Sequence, residues 1–328
     1  VHRQRDQGLE AGHGRRARRD KGTAGTAMGM TTALREARRE LDDAGLRGSI
    51  LVRDLDTGDE LGIDAELEWP AASLVKVPLV VATLERVARG ELDLGTPITV
   101  LPGRIATPGP VGVAKFRHPA TIALDDLLYL SIAISDSAAA DALFALTPPA
   151  AVSAELRRLG FEGITARHLM DDLSRTPEEA FEPARAYLAH TLAIEAATTG
   201  DGHAVPQLDI SHANTGSARA FADLLQGLWR PVTIGAATAA RTREIMGDNV
   251  IRHRLAPDFS SDASRWSSKT GTLLNFRHEV GVVEHADGQA LAVAVLTQSR
   301  VPAVVQPGAE AVMAKAARII HNELRIRL

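Results

Sequence analysis

At 328 residues the chain can bury a full core, as one large domain or two interleaved lobes. Hydrophobic residues at 45%, charged residues at 24% and a net charge of -4 describe an ordinary globular composition and exclude a dominant nucleic-acid surface. Cysteine is absent, which excludes disulfides, thiolate metal sites and a cysteine nucleophile and leaves any catalysis to Ser, Lys, His or carboxylates.

The first stretch, VHRQRDQGLEAGHGRRARRDKGTAGTA, is rich in Arg and Gly and nearly devoid of large apolar residues, so residues 1–28 are expected to be disordered. A nucleic-acid arm is one reading of it. An extension upstream of a start at Met28 or Met30 is the plainer one. The stretch lacks the apolar core of a signal peptide, and no apolar run approaches the roughly 18 residues that span a bilayer. The expectation is a cytoplasmic protein without membrane partners.

Residues 31–46 place Leu34, Ala37 and Leu41 at helical spacing. Residues 48–66 alternate around Asp56-Thr57-Gly58-Asp59, which predicts a β-hairpin. A helix is predicted from Ser73 to about Arg89. Two apolar helical stretches over 123–146 are broken by Ser135-Asp136-Ser137, and a further helix over 149–160 stops at Gly160. Between 161 and 212 prolines and glycines interrupt the pattern, with a helix expected over 184–196. Helices return at 215–229 and 233–246. The period then changes to two: 265–274, 278–285 and 289–297 read as antiparallel strands, and 307–324 as an amphipathic helix.

Strands at both ends with helices between predict an α+β fold, its antiparallel sheet built from both chain termini and flanked by helices, with an inserted all-helical lobe. The expected domain covers 29–328, with the α/β lobe at about 29–68 and 250–328 and the helical lobe at about 69–249.

Within the predicted helix, 71-AASLVKVPLV-80 sets Ser73 three residues ahead of Lys76. Residues three apart share a helix face, so Lys76 can reach the Ser73 hydroxyl as a base if its pKa falls toward neutrality. The competing reading makes Ser73 an N-cap and Lys76 a snorkelling surface lysine. Two further short motifs follow in order, Ser135-Asp136-Ser137 at a helix break and Lys269-Thr270-Gly271 on a strand.

Together the three motifs resemble the signature of penicillin-recognising serine hydrolases, and the chain resembles the class A β-lactamase-like family from about residue 31 onward. The segments 68-EWPAASLVKVPLV-80, 126-DLLYLSIAISDSAAADAL-143 and 267-SSKTGTL-273 carry the likeness. The resemblance implies Ser73 as nucleophile, Lys76 as its base and Ser135 as proton relay. It also implies Lys269 as a cation that repels a proton on Lys76 and attracts a substrate carboxylate. Backbone N–H groups of Ser73 and Thr272 would form the oxyanion hole. Ser137, Thr270, Gly271 and Thr272 would line the substrate site, and Arg277, eight residues beyond Lys269, either binds the substrate carboxylate or is a surface arginine.

Two departures stand out. Ser137 replaces the family's usual Asn and so loses an amide. The loop 166-ARHLMDDLSRTPEEAFEPARA-186 lacks the Glu-x-x-Leu-Asn pattern that activates the deacylating water in class A enzymes. Asp171 lies near the expected distance from Ser135, with Asp172, Glu178 and Glu179 as the other nearby carboxylates. The stretch onward to His212 is some thirty residues longer than the family's loop.

The eleven histidines form neither a G-x-S-x-G nor an H-E-x-x-H context. His278-Glu279 and Glu284-His285 read as one polar face of a strand, so no metal and no cofactor is expected. Trp69 and Trp266 are expected to pack. The expected activity is acyl-enzyme formation with an ester, amide or β-lactam that carries an acyl group and a carboxylate. The alternatives are a transacylase or DD-peptidase-like enzyme at the same site, and a non-catalytic binding module.

Overall fold

The strand with the longest apolar run explains the architecture. β10 (Ala290–Ser299) is buried along its whole length and lies at the centre of a five-stranded antiparallel sheet. The sheet order is β2 (Glu60–Ile63), β1 (Leu46–Asp54), β10, β9 (Phe276–His285) and β8 (Ser264–Leu273). Successive side chains of a strand point to opposite faces, and here both faces are covered. Leu291, Val293 and Val295 enter one core with Ile50 and Val52, against the helix α1 over 29–43 and the C-terminal helix Pro307–Arg325. Ala290, Ala292, Ala294 and Leu296 enter the other core with Leu51 and the helices of the middle of the chain. A computed structural model describes residues 29–101, 111–175, 181–185, 187–195, 203, 205–301 and 305–326. The expected disorder of 1–28 and the carboxylates Glu178 and Glu179 lie outside the described residues.

The hairpin, the three late strands and the C-terminal helix form as the spacing predicts. The middle segment supplies α2 (Lys76–Ala88), α3 (Leu124–Ala133), α4 (Ser137–Leu146) and α5 (Pro149–Arg158). Gly160 turns the chain away after α5 with a φ of 86°. The helix expected over 184–196 is described at Tyr187–Glu195.

Three readings need correction. Residues Thr215–Ser217 are not helical: they form the central strand β7 of a small sheet between β3 (Glu68–Pro70) and β6 (Ile164–Thr165). The helix begins at Ala218 because Ser217 Oγ accepts from Ala220 N and caps it. The helix read from 233 begins at Ala236. His278 and Glu279 are wholly buried, not a polar face, because β9 is covered on both sides. A second small sheet, β4 (Pro97–Val100) with β5 (Ala120–Ala123), leads into α3.

Candidate active site

Ser73 lies in a 3-10 turn, Ala72–Val75, that runs directly into α2. Its side chain caps nothing, and Lys76 is completely buried, so the N-cap and surface-lysine reading fails on both residues. The preceding Ala72 holds a φ of 47°, a left-handed backbone that a non-glycine residue adopts at a cost of order 1 kcal/mol or more. Two contacts hold the turn in place. His278 lies between Pro70 O and Thr297 N. Because its Nδ1 accepts from Thr297 N at 3.1 Å, its Nε2 carries the proton donated to Pro70 O at 3.0 Å. Burial pushes this histidine down to about 3, so it stays neutral in that role. Gly271 lets β8 approach: a Cβ there would lie 3.0 Å from Ala71 O and 3.1 Å from Leu74 Cγ.

The break between α3 and α4 supplies the second element. Ser135 has a φ of 58°. Asp136 caps α4 through Ala138 N at 2.9 Å and Ala139 N at 3.1 Å, and its other oxygen accepts from Val113 N at 2.6 Å. This anchoring turns Ser135 toward the lysines. Lys76 Nζ donates to Ser135 O at 2.7 Å, Ser135 Oγ at 3.3 Å and Ser137 Oγ at 3.2 Å. Three acceptors match the three protons of an ammonium, and Ser73 Oγ is not among them.

Lys269, from β8, is also completely buried and donates to Ser135 Oγ and Thr270 O, each at 2.8 Å. Burial holds Lys269 well below the usual lysine range, with Lys76 and then Arg254 adding to the effect. Burial also brings Lys76 down to about 8, opposed by Asp136 and Asp141. The two buried amines share Ser135 Oγ, so a proton on one disfavours a proton on the other.

Of the expected substrate residues, Ser137 faces Lys76, Thr270 is buried and Thr272 is exposed. Arg277 is buried, which overturns its surface reading, and its guanidinium donates to Leu274 O and Phe276 O and lies 3.4 Å from Glu310. Its place on β9, a strand with both faces covered, turns it into the protein. Arg254, which the spacing did not single out, stands at the Lys-Thr-Gly strand instead. It donates to Thr272 Oγ1 at 2.7 Å and to Gly271 O and His278 O at 2.9 Å, while Glu310 balances its charge at 3.0 Å.

The remaining wall is the 3-10 turn Asp171–Arg175. Asp171 N and Met170 N donate to Asp141 Oδ2 and Oδ1 at 2.9 and 2.7 Å. Asp141 stands four residues beyond Ser137 on α4, hence on the same face, and that spacing could have found it. Burial pushes it up to about 6, against the two N–H bonds and Lys76. Asp172 accepts from Leu169 N within the loop. Trp69 and Trp266 pack as expected, donating to Ser49 Oγ and Glu279 Oε1. Among the described residues no group of three or more His, Asp or Glu side chains could hold a metal, and no helix is long and apolar enough to cross a membrane.

The fold has close counterparts among solved structures. A β-lactamase from Chitinophaga pinensis superposes with a TM-score of 0.71 at 19% identity, covering 89% of this chain and 99% of that one. A PBP-A mutant described as an acyl-enzyme complex with penicillin G superposes at 0.69 with 18% identity, covering 90% and 97%. At the sequence level the chain is 61% identical over 309 residues to a protein of Streptomyces cacaoi named β-lactamase regulatory protein BlaB, covering 91% of this chain and 99% of that protein. A profile described as "Beta-lactamase enzyme family" matches residues 32–324, and the chain belongs to that family.

Proposed function

We propose that the chain forms an acyl-enzyme at Ser73 with a small ester, amide or β-lactam substrate. The observation that carries this reading is Ser135 Oγ held between two buried lysines, 3.3 Å from Lys76 and 2.8 Å from Lys269. At pH 7 roughly a tenth of Lys76 is neutral for a pKa near 8, enough to serve as a general base. The Ser73 proton moves to Lys76, Ser73 Oγ bonds to the carbonyl carbon, and the backbone N–H groups of Ser73 and Thr272 receive the oxyanion. The bond to the leaving group then breaks as Ser135 delivers a proton to it, and Ser135 is reprotonated from Lys76. A substrate carboxylate beside Lys269, Thr272 and Arg254 would favour the protonated form of Lys269 by opposite charge.

Release of the acyl group needs a base aimed at water. Asp171 is the candidate, with Asp141 fixing the backbone that carries it. Aspartate is one methylene shorter than glutamate, and a displacement of about 1 Å can cost on the order of a hundredfold. Penicillins are therefore expected to acylate Ser73 and leave slowly, while small activated esters turn over. Transfer to an amine or alcohol in place of water would make the same centre a transacylase. A second reading is favoured by the name of the Streptomyces cacaoi relative and by this weak release wall: the long-lived acylated form acts as a β-lactam signal.

Intact-mass and stopped-flow measurements with penicillin G and p-nitrophenyl acetate separate these. One persistent penicilloyl adduct on Ser73 with ester turnover supports the proposal. Absence of any adduct leaves a binding module. Rapid steady-state penicillin hydrolysis lost on Asp171→Asn makes the chain a working β-lactamase.

A further inference from the structure

A second serine hydroxyl faces a histidine, at the far end of β8 from Lys269. Ser264 opens β8, five residues before Lys269, so the two positions lie about 17 Å apart along the strand. It lines a surface cleft of about 540 Å³ together with Trp266, His285, Arg252 and Arg265, with Asp262 and Glu284 also on the wall. Ser264 and His285 face each other directly across the β8–β9 pair.

Ser264 Oγ lies 2.7 Å from His285 Nδ1, His285 Nε2 lies 3.0 Å from His321 Nε2, and His321 Nδ1 lies 3.0 Å from Asn322 Oδ1. The far end fixes the direction of the whole chain. An amide oxygen only accepts, so His321 Nδ1 carries the proton and its Nε2 is a lone pair. His285 Nε2 must then donate to His321, which leaves His285 Nδ1 as a lone pair facing the Ser264 hydroxyl. We propose that Ser264 is a second activated serine, with His285 as its base, that takes an acyl group from small activated esters entering this cleft.

In that step the Ser264 proton passes to His285 Nδ1, Oγ bonds to the ester carbonyl carbon, and the bond from that carbon to the alkoxy oxygen breaks. The leaving alcohol takes the proton back from His285, and nothing is oxidised or reduced. His321 and Asn322 act as positioning residues: the neutral His321 accepts from the imidazolium while it exists. Burial lowers both histidines, His321 to about 4, which keeps the relay uncharged near pH 7. Arg325 and Arg318 lie near enough to His285 to disfavour its charge, and Asp287 favours it, so acylation is expected to be slow.

The test uses the full chain carrying Ser73→Ala, which removes the first nucleophile and makes this result independent of the function proposed above. After exposure to p-nitrophenyl acetate, peptide mass mapping should find one acetyl group on Ser264. It should vanish with Ser264→Ala and form at least about tenfold more slowly with His285→Gln. Asn322 is exposed, so its variants should fold. Asn322→Asp, still only an acceptor there, should keep the rate, and Asn322→Leu should lower it several-fold. Acetyl groups scattered over surface lysines and serines without excess at Ser264 would overturn the proposal. So would an unchanged Ser264 rate in both His285→Gln and Asn322→Leu.

Discussion

Around Ser73 the side chains come from three regular elements: the turn into α2, the α3–α4 break and β8. The wall carrying Asp171 is instead a loop tied by two backbone N–H groups to one carboxylate, Asp141. In the first region Lys76, Ser135 and Lys269 each have two or more polar contacts, and the anchors Asp136, His278 and Gly271 are buried. Position is thereby fixed before a substrate arrives. In the second region the anchor is itself a titrating group with a pKa near 6. On the proposed mechanism, taking an acyl group and releasing it would depend on differently anchored structures that titrate in different pH ranges.

The largest expected effect breaks the first region alone. Lys76→Arg keeps a cation beside Ser135 but removes any base at workable pH, so acylation of Ser73 should fall about 10²–10⁴-fold. Time-resolved intact mass with penicillin G measures it, and near-normal labelling would remove Lys76 as the base.

Changing pH sharpens the contrast without a mutation. Lys76 accepts a proton only when neutral, so the acylation rate should rise about tenfold per pH unit below 8 and level off above it. Asp141 works as a carboxylate, so deacylation should also weaken as pH falls through about 6. Separate pH profiles for acyl-enzyme formation and decay check both. Coincident profiles would show that one group governs both steps.

Asp141→Asn breaks the second region. An amide offers one acceptor oxygen where the carboxylate offers two, so Met170 N or Asp171 N is left facing an NH₂ group. Leaving one such buried donor unpaired costs about 1–3 kcal/mol, and deacylation should slow roughly 10-fold or more while acylation stays within about threefold. Equal losses in both steps would mean that Asp141 acts through Lys76 instead.

What the sequence made legible follows the same division. The grouping of Lys76, Ser135 and Lys269 was readable because each sits at a fixed offset within a short motif, and the motifs fall on a helix start, a helix break and a strand. The strands β8, β9 and β10 were readable from their period of two. Arg254 and His278 were not, because their partners are the strand β8 and the chain at Pro70, distant in sequence, while Asp141 shares a helix face with Ser137 but its partner, the loop at 170–171, could not be read. His278-Glu279 misled for a related reason: alternation looks the same whether a strand's second face meets water or a helix. Strands β3, β6 and β7 are two or three residues long and exist only through pairing with one another.

The smallest expected effect concerns Ser137, where the two regions meet on one face of α4. Its hydroxyl accepts from Lys76 at 3.2 Å, and Asp141 follows one turn later. Ser137→Asn would restore the family's amide, whose oxygen can still accept from Lys76 and whose NH₂ can donate to a substrate carbonyl. Two consequences can be read separately. The new donor should tighten binding of amide-bearing penicillins, lowering the concentration for half-maximal acylation by a few-fold, since a neutral hydrogen bond contributes about 0.5–1.5 kcal/mol. The bulkier side chain beside Lys76 and Asp141 should leave the maximal acylation rate nearly unchanged, because all of Lys76's acceptors persist. Measured with penicillin G and with p-nitrophenyl acetate, the gain should appear only for penicillin, the substrate with a side-chain amide. An equal change for both substrates would place Ser137 with the lysine and not with the substrate.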